Sequence, residues 1–203
     1  FRYIQPGAAV KELNLSGEVR PGGSAQYAGG LAGNNSGTIS DCSFTGDVEA
    51  LTSTGGLVGA NEKDGVIENC RVSGTVTGQH YTGGVAGQNL GNSSSVNTTA
   101  QEVAPDVSGL SLTEIDSTTE LINDYTDTGG IAGFSSGVVS ACMNTGAVGY
   151  EHMGYNIGGI VGRQSGYVES CTNSGSILGR KEVGGIVGQM EPYLTLDLSA
   201  ASA

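Results

Sequence analysis

One five-residue pattern governs this chain: Gly-Gly, an aliphatic residue, Ala or Val, then Gly. It occurs six times, starting at Gly29, Gly55, Gly83, Gly129, Gly158 and Gly184. The intervals between starts are 26, 28, 46, 29 and 26 residues. A period of this size specifies stacked repeats, each too small to bury a core alone and each covered by its neighbours.

The composition fits a narrow stack. Gly supplies 36 of 203 residues, Trp is absent and aromatics make up 5%. The core must therefore be thin and built from Val, Ile, Leu, Ala and Cys. Gly excess without a strict triplet excludes collagen, and regularly spaced apolar residues argue against disorder. The net charge is −12, from 8 basic and 20 acidic side chains. Nucleic-acid binding calls for a basic stripe, which is lacking. An anionic membrane surface would repel the chain, and no apolar run reaches the roughly 18 residues of a membrane span. The sequence starts at Phe1 without a signal-peptide pattern, so we expect a piece of a longer protein with flanking domains.

Two further motifs follow each signature. The first places an aliphatic residue two positions after Gly and Cys three positions later: Gly37/Ile39/Cys42, Gly65/Ile67/Cys70, Gly137/Val139/Cys142 and Gly166/Val168/Cys171. The second ends on Val48, Val76, Val148 and Ile177, two residues after a Gly in Ser/Thr-Gly-x-Val/Ile or close to it. Short Val/Ile-rich segments bounded by Gly, Asn and Ser read as strands. The expected fold is all-β: a right-handed parallel β-helix of about six coils, three short strands per coil. Equivalent residues then stack about 4.8 Å apart. One inward column is Leu31, Leu57, Val85, Ile131, Ile160 and Ile186, a second Ile39, Ile67, Val139 and Val168, and a third Val48, Val76, Val148 and Ile177. Strand alternation would turn Ala32 and Val58 outward, giving a weakly apolar outer sheet that either packs on another domain or is simply tolerated.

The repeats are not uniform. Residues 1–28 read as a degenerate first coil, with Val10 aligned on Ile39 and Leu13 in place of Cys42. In the coil of the third signature Ser93 replaces the aliphatic residue and Val96 the Cys. About 20 residues are inserted there, over 104–124, and Ser117-Thr118-Thr119-Glu120 reads as the capping box of a short helix. The next coil carries three extra residues at the same corner. The solenoid spans 29–188, and 189–203 form a tail leading out of it.

Taken together, Gly-Gly-Leu-Val-Gly followed by Asn, Gly, Ile and Cys, then Thr-Gly-x-Val, resembles the GLUG repeat. The stretch Gly55 to Val76 carries the resemblance most fully. It implies a bacterial surface or secreted protein, either adhesin-like or the non-catalytic region of an immunoglobulin A1 protease-type protein. It further implies an extracellular or cell-wall location and a structural spacer or adhesive role.

Catalytic chemistry finds little support. The only histidines are His80 and His152, and no His-Glu-x-x-His zinc motif is present. Outward positions Ser40, Glu68, Ser140 and Glu169 pair no carboxylates at glycosidase spacing. The reading is therefore a non-enzyme without cofactor or metal; the alternative is the non-catalytic portion of a secreted peptidase or carbohydrate-active enzyme. The four cysteines share one repeat position without metal-ligand spacing. Stacking favours a ladder of free thiols, because parallel Cβ vectors about 4.8 Å apart exceed the roughly 3.8 Å of a disulfide. Bridges Cys42–Cys70 and Cys142–Cys171 are the alternative. The candidate binding face is the corner before each signature, where His80, Tyr81, Tyr125, Tyr150, His152 and Tyr155 gather. Loops on a rigid scaffold carry function, and aromatic rings beside polar groups suit a glycan or a host or neighbouring surface protein. Tyrosines covering the edge and packing under the insertion are the other explanation.

Overall fold

The computed structural model describes residues 1–22, 25–105, 107 and 125–192. The described residues contain strands and no helix: 27 strands in four parallel sheets. The inserted segment's proposed helix and the end of the tail lie outside the described residues.

A complete coil runs through four sheets rather than three. The second coil shows the plan: Thr52–Gly55, Val58–Asn61, Val66–Glu68 and Arg71–Thr77. These join the first, second, third and fourth sheets, which hold six, seven, six and eight strands. Strands one repeat apart pair in register, as in Ile39↔Ile67↔Ser93↔Val139↔Val168. The leading coil pairs the same way, Val10 on Ile39 and Val19 on Val48.

The extra strand exists because the signature is a corner, not a strand. Gly55 ends one strand, Gly56 and Leu57 form the bend, and Val58 begins the next. Alternation does not carry across a bend, so Leu57 and Val58 are both fully buried, as are Leu31 and Ala32. The expected weakly apolar outer sheet is therefore absent at these positions. The columns through Leu31, Ile39 and Val48 do fill the core. Complete burial of such side chains stabilises by about 1.5–3 kcal/mol each. At the last described coil Ile186 is 39% exposed, where Ile160 is 0%.

The last glycine of the signature lets two sheets touch backbone to backbone. A Cβ on Gly133 would lie 2.5 Å from the Tyr81 carbonyl carbon and the Thr82 nitrogen. In the same way Gly59 abuts Tyr27 and Gly87 abuts Ser53. The first and second sheets thus stack with no side chain between them, which only Gly permits.

Two columns of non-glycine residues hold left-handed backbone. One precedes the Cys position: Glu12, Asp41, Asn69, Ser95, Ala141 and Ser170, with φ of 51–55°. The other lies inside the first sheet: Tyr27, Ser53, Tyr81, Asp127, Asn156 and Glu182, with φ of 49–60°. Pairing steps over the second column, His80↔Thr126 then Thr82↔Thr128, so it forms a bulge repeated through the stack. Asn, Asp and Ser tolerate this conformation, whereas a bulky Tyr is an outlier there.

Polar ladders close the corners. Asn35 Nδ2 donates to Asn61 Oδ1 (2.8 Å), Asn61 Nδ2 to Asn89 Oδ1 (2.9 Å), and Asn89 Nδ2 to Ser135 Oγ (3.2 Å). Gln164 completes the ladder, its amide nitrogen donating to Ser135 Oγ at 3.1 Å. All five side chains are fully buried. A second ladder arises where the fourth sheet changes from apolar to polar. Val72 pairs with Thr98, Thr98 with Asn144 and Asn144 with Asn173. Thr98 Oγ1 donates to Asn144 Oδ1 (2.6 Å), and Asn144 Nδ2 to Asn173 Oδ1 (2.8 Å). Buried polar groups are tolerated only when hydrogen-bonded in this way.

Candidate functional site

The corner before the signatures becomes the outer side of the first sheet. Its pairing sets His80, Thr126, Tyr155 and Lys181 in one column, one coil apart. His80 Nδ1 lies 3.0 Å from Thr126 Oγ1, and the Lys181 ammonium sits 5.4 Å from the Tyr155 ring centroid. The geometry thus brings His80 and Tyr155 onto one line, about 10 Å apart over two coils. Lys181 was not foreseen in this column, although its distance to Gly184 matches that of Tyr155 to Gly158.

Tyr125 and Tyr150 play a different part. Tyr125 is 8% exposed and clusters with Met153, against which Val107 and Tyr150 pack. The three extra residues of the fourth coil make a tight turn, with a Tyr150–Met153 bridge and the Met153 amide donating to the Tyr150 carbonyl (3.2 Å). This turn folds Met153 inward and leaves His152 exposed beside Glu151, 3.4 Å away. These two tyrosines therefore belong to a small satellite core at the insertion's root.

Tyr81 belongs to neither group. Its left-handed backbone directs the ring toward the second sheet, where the centroid lies 6.0 Å from that of Phe134. The Arg163 guanidinium stacks on both, 4.9 Å from Phe134 and 6.0 Å from Tyr81. Arg163 Nε is 3.2 Å from Asp127 Oδ1, and Nη1 is 3.6 Å from Glu191 Oε1. Asn156 Nδ2 donates to Asp127 Oδ1 at 2.7 Å. Sequence reasoning missed this knot. Its signal was present: Asp127 and Asn156 stand two residues before Gly129 and Gly158, as Tyr81 stands before Gly83.

Burial raises the Asp127 carboxyl above the ordinary carboxylate range, against the Asn156 hydrogen bond and the Arg163 charge that lower it. A carboxyl raised on folding binds its proton more tightly in the native state. Its stabilising contribution is present below about pH 4 and is lost as pH rises through the folded value. Relative to Asp127→Asn, the wild type should therefore gain melting temperature as pH falls from 7 toward 4. Thermal melts of both proteins at several pH values check this; a pH-independent difference would refute it.

All four cysteines are free. Each Sγ donates to the carbonyl two residues earlier, at 3.2 Å for Cys42, Cys70 and Cys142 and 3.3 Å for Cys171. Val96 fills the same position in the third coil and is fully buried. Among the described residues no three His, Cys, Asp or Glu side chains are grouped to hold a metal ion. No helix in them is long and apolar enough to cross a membrane.

The architecture defines a β-solenoid repeat module. The family model of the GLUG motif matches residues 24–49, 50–77 and 153–178, so three coils of the chain carry GLUG motifs. Each match spans one complete coil through all four sheets, so the motif is one turn of this solenoid. The third and fourth coils repeat the plan in register outside the matched segments. No curated protein and no solved structure matches the chain.

Proposed function

We propose that this module is a rigid spacer with an adhesive face in an extracellular or cell-wall protein of a bacterium, and that it carries no catalytic role. The supporting observation is the in-register stack itself: the interior is repeated coil after coil, while residues on the outer side of the first sheet differ at each rung. A scaffold that keeps its core and varies its display suits binding by exposed rows of side chains. The contact row is His80, Tyr155 and Lys181, with His152 on the adjoining turn and Tyr81 at the flank. Tyr125 and Tyr150 stand outside the row, in the satellite core with Met153. A glycan or a host or neighbouring surface protein would meet about 15 Å of this row, three coil spacings. Aromatic contacts add about 0.5–1.5 kcal/mol each beyond area, so single-site affinity is weak and depends on multivalency.

A glycan and host-protein array, probed with multimerised protein, tests this. Binding should be lost in His80→Ala/Tyr155→Ala while the circular dichroism stays that of strands. Binding that survives both substitutions rejects this row. No binding by the folded multimeric wild type leaves the spacer role alone.

A further inference from the structure

The four cysteines occupy one repeat position, yet their surroundings differ. Cys42 and Cys70 are 2% and 1% exposed, beside the seven-residue strands Ser43–Glu49 and Arg71–Thr77. Cys142 is equally buried, but Cys171 above it is half-exposed. The following strand there is only Thr172–Asn173. The Cys171 sulfur leans onto the coil below, where the Cys142 amide N–H donates to it at 3.4 Å. A donor aimed at sulfur favours the thiolate, and thiolate character with access makes a thiol reactive.

We propose that Cys142 and Cys171 form a hydroperoxide-reactive dithiol, Cys171 being oxidised first and Cys142 then closing a disulfide between the fourth and fifth coils. The Cys171 thiolate attacks one peroxide oxygen; the S–O bond forms, the O–O bond breaks, and the departing alkoxide or hydroxide takes up a proton. Sulfur loses two electrons and the peroxide gains them. The Cys142 sulfur then attacks the Cys171 sulfur, forming S–S and breaking S–O, and hydroxide leaves with the Cys142 proton as water. The net reaction turns two thiols and one hydroperoxide into a disulfide, an alcohol or water, and a further water.

Ionisation runs in the same direction. Pairing with Cys142, against desolvation, lowers Cys171 to about 7, and the same pairing with burial raises Cys142, so Cys171 is the one that ionises. Burial raises Cys70 to about 11. Closing the bridge requires the two Cβ atoms to approach by about 1 Å from the coil spacing. The two-residue strand after Cys171 gives that freedom, and the long strands flanking Cys42 and Cys70 withhold it.

The test treats the intact protein with substoichiometric hydrogen peroxide near neutral pH, then maps thiols by alkylation and mass spectrometry. We expect a Cys142–Cys171 cross-linked peptide, two hydrogens lighter, forming roughly tenfold or more faster than any change at Cys42 or Cys70. Cys142→Ser should accumulate a dimedone-trapped sulfenic acid at Cys171, and Cys171→Ser should leave Cys142 a thiol. The proposal is overturned by an unmodified Cys171, by wild-type Cys171 passing to sulfinic acid while Cys142 stays reduced, or by a Cys42–Cys70 bridge forming equally fast.

Discussion

Gly159→Ala is expected to destabilise the protein by about 3 kcal/mol or more, the upper end of overpacking costs, while Gly185→Ala stays within about 0.5 kcal/mol. The two residues hold the same place in successive signatures. A Cβ on Gly159 would collide with the Gly185 carbonyl oxygen and reach the Asn173 amide carbon at 2.5 Å. The Gly185 oxygen belongs to the coil above and the Asn173 side chain to the buried polar ladder. Neither can retreat without breaking pairing. Among the described residues, a Cβ on Gly185 meets nothing within 4 Å, and neither glycine has a left-handed φ. The contrast therefore isolates stacking from backbone freedom. For a chain of this size the first change should lower the melting temperature by on the order of 10 °C. Equal effects at both positions would mean that the glycines serve the corner alone, not the contact between coils.

The second large effect is expected at Asn61, the middle rung of the asparagine ladder. Asn61→Asp keeps the shape and removes the amide donor. Asn61 Nδ2 serves Asn89 Oδ1 (2.9 Å), the Gly65 carbonyl (3.2 Å) and the Asn92 carbonyl (3.2 Å). A carboxylate there faces acceptors in a fully buried site. Unsatisfied buried groups cost about 1–3 kcal/mol each, so a loss of about 4 kcal/mol is expected at neutral pH. Burial would raise the new carboxyl's pKa, so protonation on acidification restores one donor and part of the stability. Denaturant titrations of both proteins at pH 7 and pH 5 check this. A mutant equally stable at pH 7 would show that the ladder contributes little.

Much of this was legible in the sequence because a repeat states its core several times. The columns through Leu31, Ile39 and Val48 follow from spacing alone, as does the substitution of Ser93 and Val96 in the third coil. Ser93 shows why that coil tolerates a hydroxyl: its Oγ donates to Asn89 Oδ1 at 3.0 Å. The fourth strand of each coil was not legible. Segments such as Thr52–Gly55 and His80–Gly83 are short and polar, and a left-handed residue interrupts their alternation. Ala32 and Val58 were turned the wrong way because the period of two was carried through a bend. The Asn ladder left a trace that went unused: Asn35, Asn61 and Asn89 each stand two residues after the closing Gly of a signature. Of the candidate face, spacing grouped six residues before the signatures, of which pairing sets His80 and Tyr155 in one column. It could not separate Tyr125 and Tyr150, which go inward with Met153, from Tyr155, because direction there depends on a turn peculiar to the fourth coil.

The stacking of coils in register is the central claim, and distances along the axis test it most directly. Lys11, Ser40, Glu68, Ser94, Ser140 and Glu169 form one unbroken column on the third sheet. Spin labels carried on non-canonical residues at Lys11 with Ser94, and at Lys11 with Glu169, span three and five rungs. Double electron–electron resonance should give separations near 14 and 24 Å, about 4.8 Å per rung. Separations that do not rise with rung number would contradict the solenoid.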